Sequence, residues 1–216
     1  MKKQILLAGL MALTVAAKAD LLKVAVNGGY STVTMADYNA GLDKAKQASP
    51  GSTSTPYSGG WFVGAEAGLG LMPFLEIGPR VEYLQAGQAS LSNSSFKYTL
   101  DSTLTSGMLG VNVGMDMPLT GLGFNAGLYG GYGYAVTKAA NTPTGGTASG
   151  SQSTGGGFVG ELQAKLKYSI IPLVSVDLLA GIRMANMGKL KDGSSEDTYA
   201  SDFSGFNAGG GLSIGF

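Results

Sequence analysis

The chain has 216 residues, with no Cys, no His and one Trp, which excludes a disulfide framework, a thiolate or imidazole metal site and a Ser-His-Asp triad. Only 13% of residues are charged, 14 basic residues balance 14 acidic ones, and Gly reaches 36. The basic surplus of a nucleic-acid binder is missing.

Lys2 and Lys3 precede an apolar run from Ile5 to Ala17, and Ala17-Lys18-Ala19 follows. This is the layout of a secretory signal peptide with a small-x-small cleavage site. The run is too short for a membrane-spanning helix, which needs about 20 residues. The expected division is a signal peptide over residues 1–19 and one domain over 20–216. With no Cys at the cleavage site, a lipoprotein anchor is not expected.

From Leu22 onward the chain alternates with period two, the mark of strands with two different faces. Eight strands are predicted, near 22–33, 60–71, 74–88, 100–117, 122–137, 155–169, 173–187 and 203–216. One face carries Leu, Val, Ile and aromatics with no charge, as in Val174, Val176, Leu178, Ala180, Ile182 and Met184. The other collects Gly and the charged residues Lys23, Glu66, Glu76, Arg80, Glu82, Asp116, Glu161, Lys165, Lys167, Asp177 and Arg183. An uncharged apolar face suits lipid, and a face of Gly and ion pairs suits a narrow interior.

Connections alternate between short and long. Met72-Pro73, Pro118-Leu119-Thr120-Gly121 and Ile171-Pro172 are short and each carries a Pro, which cannot continue a strand ladder. The long ones fall near 34–59, 89–99, 138–154 and 188–202. In the first, Met35, Tyr38, Leu42 and Ala45 recur at helical spacing with Thr34 as a candidate cap, while Gly41 opposes a helix. Residues 139–157 are rich in Gly, Ser and Thr and read as a flexible surface loop.

Aromatics recur at one spacing on the apolar face. Phe206 and Phe216 lie ten residues apart, as do Phe158 and Tyr168. Ten tilted strand residues rise about 25 Å, the height of the apolar band in outer-membrane barrels.

Eight alternating strands, short Pro turns, long opposite loops and a terminal Phe make the chain resemble the small bacterial outer-membrane barrels of the OmpA, OmpX and OmpW type. Gly211-Leu212-Ser213-Ile214-Gly215-Phe216 is similar to the C-terminal aromatic signal read by the outer-membrane assembly machinery in that group, with Phe216 in the terminal place. The fold expected is all-β, an eight-stranded antiparallel up-and-down transmembrane barrel. No periplasmic peptidoglycan-binding domain of the OmpA kind is expected after it. The resemblance implies outer-membrane lipid, lipopolysaccharide and the assembly machinery as partners, a monomer, and no nucleic acid.

Catalytic motifs are weak. Gly211-Leu212-Ser213-Ile214-Gly215 matches G-x-S-x-G, but that motif needs a strand-to-helix elbow and a His. Ser94-Ser95-Phe96-Lys97 matches S-x-x-K without the companion K-T-G. No catalytic, cofactor-binding or metal residue is assigned, and no cofactor is expected. The function expected is a non-enzymatic outer-membrane protein with a polar, plugged interior that acts through its long loops. Two alternatives stay open: a narrow channel for small solutes, kept alive by inward Gly, and a soluble lipocalin-like binder with the faces reversed.

Overall fold

The computed structural model describes residues 21–117 and 120–216. The expected signal peptide, and Pro118 and Leu119 of the second short turn, lie outside the described residues.

In chain order the elements are β1 (Leu22–Thr32), α1 (Ala36–Ala48), β2 (Thr53–Thr55), β3 (Gly59–Met72), β4 (Leu75–Ala86), β5 (Ala89–Ser92) and β6 (Phe96–Asp116). Then come β7 (Leu122–Pro143), β8 (Ser149–Ile171), β9 (Val174–Met184), β10 (Asn186–Asp192), β11 (Ser195–Asp202) and β12 (Gly205–Gly215). Eight of them close a ring. β1, β3, β4, β6, β7, β8, β9 and β12 each pair antiparallel with the next, and β12 returns to β1 from Lys23↔Gly215 to Ser31↔Asn207. Closure removes the sheet edges along the barrel.

Alternation decides which way each side chain points. Val24, Val63, Leu109, Val111, Leu128, Leu162, Leu178 and Leu212 stand exposed on the outer wall. Lys23, Glu66, Arg80, Glu161, Lys165 and Arg183 are buried inside. This overturns the lipocalin-like arrangement, which needs the apolar face within. Two aromatic girdles flank the outer band. Tyr30, Trp61, Tyr132, Tyr134, Phe158 and Phe206 lie toward the long-loop end, and Phe74, Phe124, Tyr168 and Phe216 toward the short turns, all exposed. A closed barrel with an uncharged apolar exterior between aromatic girdles is a transmembrane barrel of bacterial outer-membrane type.

Three expectations need correction at the long-loop end. Residues 139–143 and 149–157 are not loop: they extend β7 and β8, paired from Ala139↔Ser151 to Asn141↔Ser149. Continuous pairing with β6 on the other side, out to Phe96↔Pro143, holds this Gly-, Ser- and Thr-rich ribbon as strand despite its low propensity. Four further strands (β2, β5, β10 and β11) were not expected. They extend the wall upward in the order β11-β10-β8-β7-β6-β5-β2. The helix does form, but Thr34 does not cap it: its hydroxyl donates to Ser204 O at 2.8 Å, and Met35 enters the helix with φ 39°.

That upper wall leaves β2 and β11 as its two ends, and α1 connects them. Tyr38 donates to Asp197 Oδ2 of β11 at 2.9 Å, and Ala200 N donates to Asp37 Oδ2 at 3.3 Å. On the other side Asn39 makes a two-way bond with Tyr57, donating to its carbonyl at 3.0 Å and accepting from its N–H at 2.8 Å.

Candidate functional site in the barrel lumen

All eleven charged residues singled out in the sequence are on the lumen side, and the fold sorts them by height. Near the short turns Lys23 stands 3.6 Å from Glu76, and Lys167 stands 3.3 Å from Asp116. Asp116 is about half exposed at this mouth. Asp177 is buried between its strand partners Lys167 and Gly211.

The middle layer is a single network. The Arg80 guanidinium lies 3.1 Å from Glu66, 2.6 Å from Glu82 and 3.7 Å from Glu161. Lys165 pairs with Glu66, and Arg183 pairs with Glu82 and lies 3.9 Å from Glu161. Three acids thus face three bases. The balance matters because a buried charge without a partner costs several kcal/mol. Both Arg side chains are fully buried.

Neutral polar groups extend the network, and selection by charge missed them. Tyr129 Oη, with a single proton to donate, stands 3.1 Å from Glu66 Oε2 and 2.8 Å from Asn112 Oδ1, and the Arg80 guanidinium sits 5.5 Å from the Tyr129 ring centre. Arg80 also donates to Asn27 Oδ1 at 3.2 Å, and Arg183 to Ser31 Oγ at 3.0 Å. Asn207 donates to Glu161 at 2.7 Å, and Gln163 donates to the same carboxylate. Inward parity on β1, β6, β7, β8 and β12 is the signal that would have found them.

At two inward glycines the space is taken up by neighbouring side chains. A Cβ on Gly110 would stand 2.2 Å from Tyr129 Cδ1, and one on Gly127 would stand 2.3 Å from Asn112 Oδ1. Large neighbours fill the space that Gly frees.

Above the charges lies a layer the sequence reading did not foresee. Phe62, Leu84, Leu104, Val159 and Phe203 are buried to within 2% of full, with Ala135, Ala185 and Leu190 at 0%. Higher still, Tyr57 Oη bonds Ser102 Oγ at 2.8 Å, and Ser102 bonds Thr137 at 2.8 Å. Met35, which precedes α1, and Tyr38 and Leu42 of α1 join this packing at the top. The lumen is therefore stacked as ion pairs, apolar side chains and then hydroxyls beneath a helix.

The weak motifs acquire no chemistry. Ser213 is an inward residue of β12, paired with Ala25 and Ser175. The Ser94–Lys97 segment lies at the β5–β6 hairpin, where Thr144 donates to Ser94 O at 2.8 Å. Among the described residues no group of three or more acidic side chains could hold a metal ion. Phe216 is exposed on the lipid side, and its N–H donates to Leu22 O at 2.8 Å.

No family model matches the chain, and no curated protein matches it. Solved structures do. Neisserial surface protein A aligns at 15% identity with TM-score 0.44, over 90% of this chain and 97% of that one. A major outer membrane protein from Thermus thermophilus aligns at 12% identity with TM-score 0.49, over 90% and 99%. The attachment invasion locus protein Ail of Yersinia pestis, solved with the heparin analogue sucrose octasulfate, aligns at 12% identity with TM-score 0.46, over 89% and 99%.

Proposed function

We propose that the protein is a non-enzymatic integral outer-membrane barrel. Its interior serves as a plug, and its elevated rim contacts the envelope or the surroundings. The observation that carries this reading is the middle layer, in which the fully buried Arg80 and Arg183 are charge-paired with Glu66, Glu82 and Glu161. A lumen of eight strands is just wide enough for its own side chains. Paired charges below and packed Leu and Phe above use that width twice over.

The rim supports the interaction role. β6, β7 and β8 run to 21, 22 and 23 residues, whereas β1, β9 and β12 have 11 each. The long strands raise a rigid ribbon, and α1 braces the opposite side. Outer-membrane lipid and lipopolysaccharide are the expected surroundings, Phe216 serves as the assembly signal, and the barrel works as a monomer.

Liposome swelling tests the plug. Vesicles carrying folded protein should not swell in small sugars or amino acids faster than empty vesicles. Rapid swelling would replace the plug by the channel reading.

A further inference from the structure

We propose that one sector of the outer wall, β6 to β10, is a binding site for a phosphorylated, acylated glycolipid of the outer leaflet. The proposal rests on the reading of the chain as an outer-membrane barrel and adds a place and a chemistry for one lipid.

The charges on this wall are placed unevenly. Outward residues of β1, β3, β4 and β12 carry no charge within the barrel wall. Outward lysines gather instead above the aromatic girdle on the other half. Lys138 follows Tyr132 and Tyr134 on the same face of β7 and is exposed. Lys191 of β10 pairs with Thr154 of β8, whose own partner on β7 is Val136. Lys189 is exposed two residues below Lys191. Lys138 and Lys191 are thus two strands apart, about 10 Å, and offset by two residues along the strand. Their long side chains can converge on one phosphorylated headgroup over Gln152 and Thr154.

The acids nearby leave room for an anion. Asp101 is the strand partner of Lys138, but its carboxylate accepts from Gln88 at 3.1 Å, and no ion pair joins it to Lys138 among the described residues. Lys191 lies 3.7 Å from Glu196, and both are well exposed, so this contact is weak and easily exchanged.

Below the lysines, the same sector has a dent in the apolar band. Gly130 of β7 and Gly160 of β8 are paired, and both face outward. Around Gly130 the wall has a groove of about 410 Å³ lined by Leu109, Val111, Leu128, Gly130 and Phe158 and by Ile77 of the adjoining β4, while the Phe158 ring lies over Gly160. Leu109, Leu128 and Phe158 are each about two-thirds exposed. A groove at mid-wall with cations above the girdle matches a lipid that joins acyl chains to a phosphate-bearing head. A single-chain neutral lipid would use the groove but not the lysines. The charge commits the occupant to a phosphoglycolipid of lipid A type.

The test uses the folded full-length barrel in phosphocholine nanodiscs containing a few percent hexa-acylated bisphosphoryl lipid A. Lipid retained after detergent extraction is counted by native mass spectrometry. Wild type should keep lipid A in preference to phosphatidylglycerol. Lys138→Gln with Lys191→Gln should weaken retention about fivefold per lysine, the effect of one basic residue at an anionic surface. Gly130→Leu should also weaken it by filling the groove, and it should fold, because a Cβ there meets only the Phe158 ring, at 3.5 Å. Unchanged retention in both variants, or equal retention of phosphatidylglycerol, would overturn the site while leaving the barrel reading intact. Failure of the wild type to insert into plain phosphocholine bilayers would overturn both.

Discussion

Arg80 and Glu82 are two residues apart on β4, both point into the lumen, and the guanidinium donates to the carboxylate at 2.6 Å. Same-strand neighbours of one parity share a face, so this pair is set by local geometry alone. Arg80 also meets Glu66, its register partner on the adjacent strand β3, and faces Glu161 across the lumen on β8. Arg80→Ala would leave three carboxylates facing two bases. The expected loss is about 3–5 kcal/mol, the range for a broken buried ion pair. Urea unfolding in lipid vesicles measures it; a loss below about 1 kcal/mol would mean that water already solvates this layer.

The outer wall should reject charge. Val111 and Leu178 lie mid-strand on the lipid face, and Leu178 is 62% exposed. Val111→Arg or Leu178→Arg should each cost about 2–4 kcal/mol near the bilayer midplane. Refolding into vesicles with wild-type stability in both variants would contradict the assignment of faces.

The braced mouth should loosen without the barrel. Asn39→Ala removes both bonds to Tyr57 and frees one side of α1. Amide exchange across 36–58 should accelerate, while β3, β8 and β12 keep their protection. Uniform acceleration would show that the mouth and barrel unfold as one unit.

Alkaline pH should act on the same region. Burial raises the hydroxyl of Tyr38 well above the usual tyrosine range, with Asp197 adding to the shift, and burial likewise raises Tyr57. Both groups stay protonated when folded but ionise near pH 10 once released. Their contribution to stability is complete below about pH 10 and declines as pH rises beyond it. Ultraviolet titration should show Tyr38 and Tyr57 among the late tyrosines of the wild type. Titration of all tyrosines near pH 10 would place these two in water.

Parity made much of this fold legible. Strand faces, the apolar exterior, the girdles and the eleven lumen charges all follow from which residues alternate with which. Two parts were not legible for physical reasons. The ribbon at 139–143 and 149–157 is strand because β6 and β7 pair along its whole length, which no local propensity reports. The apolar layer of Leu84, Leu104 and Phe203 is drawn from the end of β4, the interior of β6 and the β11–β12 connection, and only the fold brings these three separate segments to one height. Glycine misled in one respect: Gly110 and Gly127 suggested open volume, yet Tyr129 and Asn112 lie across them.

The central claim is that this barrel is closed to solutes along its axis, by ion pairs at mid-height and by Phe62, Leu84, Leu104 and Phe203 above them. Single-protein conductance in a planar bilayer tests it most directly. The wild type should carry no steady current at moderate voltage. A stable, large and weakly selective conductance from the folded wild-type barrel would contradict the account.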